Sequence, residues 1–513
     1  MRQIVVFIFT VLSGLIIFLG CQPGREGEKP NILFCISDDQ SWIHTSIAGT
    51  SQISTPNFDR VAEAGILFAN AHCAASSCAP SRAAILTGQE IYRLEEGGLL
   101  FGGLPNKFSI FTDLLRQNGY ATAITGKGYG PANQTKESYW QQPIGEWYND
   151  VKVSSPDGVS ANDYAANFAQ FFQQRNPDQP FFFWYGGYEP HRAYKQGIGA
   201  ESGKDLSKIE VPGFLPDNEV VRGDLADYYF EIEWFDSHLE RMISLLEEAG
   251  ELDNTIIVVT ADNGMPFPHA KTTGYNYGTH MPLAICWGSK IKSGRQVSDF
   301  ISFTDFAPTL LEAAGIQVPE EMTGTSFMDV LLSEKSGRVD PNRNRVFTAL
   351  ERHTYCRPGG LPYPIRTIQK GDWLYIHNFE PDRWPGGNPD FDSPHQGIYG
   401  DIDSGPTREF MIAQHDEPAI APLFELSFGK RPSEELYNLS EDPFELNNLA
   451  NQKALTGLKD SLRTELFDYL RNTNDPRMSG ASPWDDYPYY HSGYETRHLK
   501  PVGKRDQTDG QLN

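Results

Sequence analysis

Asn31-Ile32-Leu33-Phe34-Cys35-Ile36-Ser37, followed at once by Asp38-Asp39, is an apolar run cut off by two acids. Seven residues without polar alternation suit a strand buried on both faces, which leaves the acids at its C-terminal end. Thr255-Ile256-Ile257-Val258-Val259-Thr260 repeats the pattern, and Asp262-Asn263 follow it. Between the two runs, helical and strand signals alternate. Pro56 to Gly65 sets Phe58, Val61 and Ala62 on one helical face. Phe108 to Asn118 reads as a helix closed by Gly119, and Ala121 to Thr125 and Pro180 to Tyr185 as strands. Asp227 to Ala249 carries Phe230, Trp234, His238, Met242 and Leu245-Leu246 at helical spacing before Gly250. This alternation, from residue 31 to about 315, predicts an α/β domain around a largely parallel sheet flanked by helices. Ligands bind such sheets at the C-terminal ends of strands, where both acidic pairs fall.

Beyond about Arg345 the pattern changes. Residues 366–378 look like antiparallel strands, and Leu455, Leu458, Leu462 and Leu466 share one face of a helix ending near Leu470. The expected division is a catalytic domain over 31–345, a smaller C-terminal α+β domain over 346–475 and a polar, aromatic tail over 476–513. At the other end, residues 1–20 read as a targeting segment: Arg2, then an almost wholly apolar run from Ile4 to Leu19. Leu19-Gly20-Cys21 resembles a bacterial lipobox. That reading makes the chain a cell-envelope lipoprotein, periplasmic or outer-membrane anchored or surface-exposed, held to the membrane through lipid on Cys21. An ordinary signal peptide or an uncleaved anchor are the alternatives. Residues 21–30 read as a flexible tether.

Composition narrows the function. The 513-residue chain is 39% hydrophobic and 12% aromatic, as expected of a globular enzyme. Its net charge of −24 argues against nucleic acid as a partner. Any polyanion must therefore meet a local basic pocket in a repulsive surface. Six cysteines are present with no CxxC pair, which disfavours a zinc ribbon or redox dithiol; Cys35 and Cys286 lie in apolar runs and read as buried thiols.

Cys78-Ala79-Pro80-Ser81-Arg82, with Leu86-Thr87-Gly88 downstream, has the form of a helix N-terminus capped by Ser77. Such an end presents free N–H groups and a positive dipole end to an anion. The run also resembles the signature C-x-P-S-R-x-x-x-L-T-G of the sulfatase family, and the resemblance extends from Asn31 to Ala450. Glu435-Leu436-Tyr437-Asn438-Leu439, with Asp442-Pro443, Glu445 and Asn448-Leu449, is similar to the closing segment of that family. The resemblance implies an alkaline-phosphatase-like fold and sulfate ester hydrolysis. It implies a maturase that oxidises Cys78 to formylglycine (3-oxoalanine), whose hydrate supplies the attacking oxygen. It also implies a divalent metal, calcium or alternatively magnesium, on Asp38, Asp39, Asp262, Asn263 and the oxidised Cys78. Oxygen-only ligands suit such a hard cation. Taken alone, each acidic pair would be an Asx turn or a helix cap. By the same resemblance, Arg82 holds the hydrate and Lys127 in Gly126-Lys127-Gly128-Tyr129 lies beside it. His191 protonates the leaving oxygen, and Lys271 clamps the sulfate.

Two departures from the family pattern stand out. Many sulfatases have histidine two residues after the lysine matched by Lys127, and here that residue is Tyr129, which cannot carry positive charge near neutral pH. Asp262-Asn263-Gly264-Met265-Pro266-Phe267-Pro268, with Tyr275 and Gly278-Thr279, looks like the N-sulfoglucosamine sulfohydrolase branch, yet Lys271 stands where that branch has arginine. Related bacterial members act on O-sulfated sugars, including algal ulvan. The expected substrate is therefore a sulfated carbohydrate, with an O-sulfate preferred over an N-sulfate. Candidate basic contacts for it are Arg192, His353, Arg357, Arg366 and Arg383. The rival readings are a phosphoester hydrolase of the alkaline phosphatase superfamily and a glycan-binding lipoprotein without catalysis. Scarce histidines at metal-like spacing disfavour the zinc such phosphatases use, and the intact Cys78, Arg82, Lys127, His191 and Lys271 set disfavours the second.

Overall fold

The computed structural model describes residues 29–132, 138–139, 143–393 and 397–489. The targeting segment with Cys21, most of the tether and the tail from 490 onward lie outside the described residues. The first run forms β1 (Asn31–Ser37), with every residue buried. It is followed by β2 (Ile66–His72), β3 (Ala121–Gly126), β4 (Glu146–Trp147), β5 (Phe181–Gly186) and β6 (Thr255–Ala261). Then come β7 (His280–Met281), β8 (Leu283–Cys286) and β9 (Arg295–Ser302). These nine strands make one sheet in the order β4-β3-β5-β1-β6-β8-β2-β7, with β9 beside β2. β1 runs parallel to both β5 and β6, and β3 parallel to β4 and β5. β8 runs antiparallel to β6 and β2, and β7 antiparallel to β2, so the sheet is mostly parallel.

β1 shows why its run lacks alternation. Ile32, Phe34 and Ile36 pack on one side, with Ala83, Ile85 and Leu86 of the helix Cys78–Thr87. Leu33 and Cys35 pack on the other, with Phe58, Phe168 and Met242 from three further helices. A strand covered on both faces must be apolar at odd and even positions alike. Cys35 and Cys286 are free, buried thiols on that second side.

One helix begins earlier than periodicity predicts. It spans Glu219–Glu248, because the Asn218 side chain accepts hydrogen bonds from the Val220 and Val221 amides at 2.9 and 3.1 Å and caps it. The opposite holds at the helix of the Cys78 run. Ser77 occupies its N-cap position but makes no side-chain cap, because its Oγ lies 2.8 Å from His353 Nδ1.

A second, smaller sheet is antiparallel: β10 (Arg345–Leu350), β11 (Ile365–Lys370), β12 (Trp373–Asn378) and β13 (Glu434–Asn438) in that order. The helix Thr456–Asn472 lays Leu462, Leu466 and Leu470 on it, in a core shared with Ala75 and Ala84 beside Cys78. Residues 476–489, at the start of the polar, aromatic tail, pack against the fold. Trp484 is fully buried, and Arg352 donates hydrogen bonds to the Tyr487 and Pro488 carbonyls at 2.9 and 2.6 Å. Aromatic anchors order this segment without any periodic pattern.

Candidate active site

The C-terminal ends of β1, β3, β5 and β6 converge with the N-terminus of the helix Cys78–Thr87. After β1, Asp39 takes a left-handed backbone (φ 73°), and its amide donates to Asp262 Oδ1 at 3.1 Å. The Asn263 amide donates to the same oxygen at 2.8 Å, and Asn263 Nδ2 donates to Asp39 Oδ1 at 2.7 Å. The two acidic pairs, more than two hundred residues apart in sequence, are thus locked together. Cys78 joins them at the first residue of its helix: its Sγ and one oxygen each from Asp38 and Asp262 lie within 4.8 Å of one another. All three residues are buried.

Three cations and one histidine face this acid cluster. Arg82, fully buried, donates from Nε to Asp262 Oδ2 at 2.7 Å and from Nη1 to the Lys127 and Gly128 carbonyls. Lys127 Nζ bonds Asp38 Oδ2. Lys271 Nζ lies 2.7 Å from Asp39 Oδ2 and 2.9 Å from Asp403 Oδ2. His191 Nε2 lies 3.9 Å from Asp39 Oδ2, while its Nδ1 sits 2.6 Å from the Arg192 carbonyl. A carbonyl cannot donate, so Nδ1 carries the proton and Nε2 faces the cluster. Close approach of β3 to β5 sets Lys127: a Cβ at Gly186 would lie 1.7 Å from the Lys127 carbonyl oxygen.

The electrostatics follow from burial and these pairings. Burial pushes the Asp38 carboxyl up, but the Lys127 ammonium, with His191 and Arg82, outweighs it and holds the group below its usual range. Burial raises Asp262, with Arg82 opposing. Burial pushes the Cys78 thiol up to about 12 despite Lys127 and Lys271, so at neutral pH it is protonated and a weak nucleophile. His353 is pulled down to about 4 by burial and is neutral.

Asp38 Oδ1 and Asn263 Oδ1 are buried and accept no hydrogen bond. Orphaned buried oxygens call for a partner. Together with Asp39 and Asp262 they form an oxygen donor set beside the Cys78 sulfur that fits a divalent cation.

The expected substrate contacts divide. Arg192 lines the cleft beside His191, but its guanidinium is held by Asp224 at 2.8 and 2.7 Å and by the Pro266 carbonyl at 3.0 Å. His353 reaches the site through Ser77. The other three candidates are held by partners within the fold. Arg357 is buried on Asp401 and the Trp384 and Pro385 carbonyls. Arg383 binds the Pro362 carbonyl at 2.8 Å and is not among the residues lining the cleft. Arg366 is fully buried between Glu351 and Asp475, both at 2.7 Å. A guanidinium saturated by internal partners has nothing left for a ligand. Arg366→Ala should therefore destabilise the fold by about 3–5 kcal/mol. Turnover per folded molecule should not change. Denaturant unfolding alongside activity normalised to folded protein checks both.

Tyr129, at the departure from the family pattern, donates to the Gly102 carbonyl at 3.2 Å. Burial drives its phenol well above the ordinary value, so it stays neutral. Sequence reasoning missed Asp403, which pairs Lys271 from the far side and joins Asp39 and His191 in a second close group of possible metal-binding atoms. No periodic signal surrounds it.

Residues 30–316 match the sulfatase family. An ulvan-active sulfatase of Formosa agariphila is 28% identical over 455 residues, covering 87% of this chain and 81% of its own. Human N-sulphoglucosamine sulphohydrolase is 28% identical over 493 residues, covering 87% and 91%. A solved structure described as bound to its substrate D-glucosamine-2-N,6-O-disulfate shares the fold, with a TM-score of 0.63 at 22% identity, covering 87% of this chain and 99% of its own. With that match spanning more than half its length, over the very strands and helix that gather Asp38, Cys78, Lys127, His191 and Asp262, the chain belongs to the sulfatase family and is a sulfuric ester hydrolase.

Proposed function

We propose that this chain releases sulfate from O-sulfated carbohydrate, with position 78 carried as formylglycine. The observation that carries the reading is the surrounding of Cys78. Its own thiol is held protonated, yet it sits within 4.8 Å of metal-type oxygens and between Lys127 and Lys271. An oxygen nucleophile suits that environment where a thiolate does not. A divalent cation, calcium in our reading, on Asp38, Asp39, Asp262 and Asn263 would supply Lewis-acid polarisation. Lys127 and Lys271 offset the negative charge of the sulfonate group, and Arg82 fixes Asp262 and the backbone at Lys127. His191 Nε2, when protonated, gives its proton to the sugar oxygen as the S–O bond breaks. The net change is ester plus water to alcohol plus hydrogen sulfate.

Carbohydrate as the substrate class is supported by the relatives named above. Lys271, in place of the arginine of the N-sulfoglucosamine branch, favours O-sulfate. The 28% identity to human N-sulphoglucosamine sulphohydrolase keeps N-sulfated glucosamine as the second reading. Sulfate release should be measured across heparin-derived and algal oligosaccharides, with matched phosphate esters. We expect O-sulfate release that a chelator abolishes and calcium restores. Phosphate turnover exceeding sulfate turnover, or zinc as the restoring ion, would overturn the reading. Cleavage of N-sulfate alone would establish the second one.

A further inference from the structure

A cleft of about 840 Å³ opens from Asp38, Lys127 and His191. Its wall contains Trp147 and Tyr188, which are 51% and 41% exposed. Among the described residues, six large hydrophobic side chains are exposed; these two are the only aromatic ones, and both line this cleft. Exposed large apolar rings in one concavity mark a binding surface.

Topology explains the placement. β4, β3 and β5 are consecutive neighbours, and Trp147 pairs with Ile124, three residues before Lys127. Tyr188 follows β5, three residues before His191, and its amide donates to the Tyr164 hydroxyl at 3.1 Å. Trp147 thus lies on a strand about 10 Å from β5, with Tyr188 just past the end of β5 and Lys127 just past the end of β3 between them. That span is longer than one pyranose ring.

The polar lining narrows the occupant. Glu231 is 1% exposed, and its Oε1 has no hydrogen-bond partner. Burial, with Glu189 and Asp227 nearby, pushes its carboxyl up to about 9, so at neutral pH it is a neutral donor and acceptor. Glu189 is satisfied by the Ser160 amide and the Tyr164 hydroxyl. Among the described lining residues, the lysine and arginine cations are Lys127 at the sulfate end and Arg192, already paired with Asp224. Glu146 stands exposed beside Trp147. A second anionic group here would find repulsion and no partner. Sugar rings fit instead: their C–H faces carry slight positive charge and lie on the negative faces of aromatic rings.

We propose that Trp147 and Tyr188 form a subsite for an uncharged sugar ring attached to the sulfated one, with Glu231 facing its hydroxyls. This rests on the carbohydrate reading above and extends it: the substrate is an oligosaccharide with a neutral flanking residue. The test compares Trp147→Ala, Tyr188→Ala and Trp147→Phe with the parent enzyme. Each is assayed on sulfated oligosaccharides of the heparin and algal panel and on the corresponding sulfated monosaccharides. The two alanine variants should raise KM about tenfold for neutral-flanked oligosaccharides. They should leave kcat, and both constants for the monosaccharides, within about twofold of the parent. Trp147→Phe should recover most of the loss. Equal losses on oligosaccharide and monosaccharide, unchanged KM on oligosaccharides, or a parent preference for uronate-flanked sugars would each overturn the subsite. Absence of sulfate release by the parent enzyme from every sugar would instead defeat the carbohydrate reading itself.

Discussion

Cys78→Ala is expected to reduce sulfate release by at least about 10³-fold, the scale for losing a covalent nucleophile. The fold should survive. Alanine removes one sulfur from the small cluster of Cys78, Ala79 and Leu100, and no hydrogen bond that holds the helix involves that atom. A thermal midpoint close to that of the parent would separate lost chemistry from lost structure. Intact-protein mass spectrometry of active material, matured in a host with a formylglycine-generating enzyme, should show position 78 as the aldehyde. Active protein carrying only a thiol there would refute the proposed nucleophile.

The second large effect is expected at Asp262. Its Oδ1 accepts from the Asp39 and Asn263 amides, and its Oδ2 takes the Arg82 guanidinium. Asp262→Ala removes all three bonds at once and leaves Arg82 buried without its carboxylate. Destabilisation of about 3–5 kcal/mol follows. Divalent metal affinity should fall with it, and the rate should drop by at least about 10²-fold. Asp262→Asn offers a finer comparison, since an amide oxygen can still accept from Asp39 and Asn263 while the charge opposite Arg82 is gone. It should fold better than the alanine variant yet bind metal weakly. Calorimetric metal titration and denaturant unfolding measure the two effects separately; full metal affinity in either variant would remove Asp262 from the ligand set.

What was legible in the sequence, and what was not, follows from range. β1 and β6 announce themselves because strands covered on both faces are apolar throughout and stop abruptly at acids. Lys127 and His191 were readable as residues just past such strands. The helix Glu219–Glu248 was cut short because its first turns alternate polar and apolar residues weakly, although Asn218 marked its start. β7 and β8 escaped notice because both are very short and their antiparallel placement is dictated by pairing with β2 and β6. Asp403 and the interior roles of Arg357 and Arg366 were invisible for a different reason. Their partners lie far away in sequence or in loops without period: Asp403 meets Lys271 across 132 residues, and Arg366 meets Asp475 across 109. A charge read one residue at a time looks solvated.

The burial of Cys78 also sets an order of events. The residue is 1% exposed, begins a helix packed against the first strand, and is clustered with Ala79 and Leu100. On the formylglycine reading proposed above, an enzyme that oxidises it would need the surrounding segment as an accessible peptide, and the native chain does not offer one. On that reading, oxidation and folding would compete for the same chain, and whichever finished first would decide the outcome for that molecule. A chain of this length folds through intermediates, with a β11–β12 hairpin and C-terminal helix made last during synthesis. That interval is when the segment stays within reach. Overproduction that outruns the oxidising enzyme should thus leave a permanently inactive, fully native fraction, which later addition of that enzyme does not recover but unfolding and refolding in its presence does.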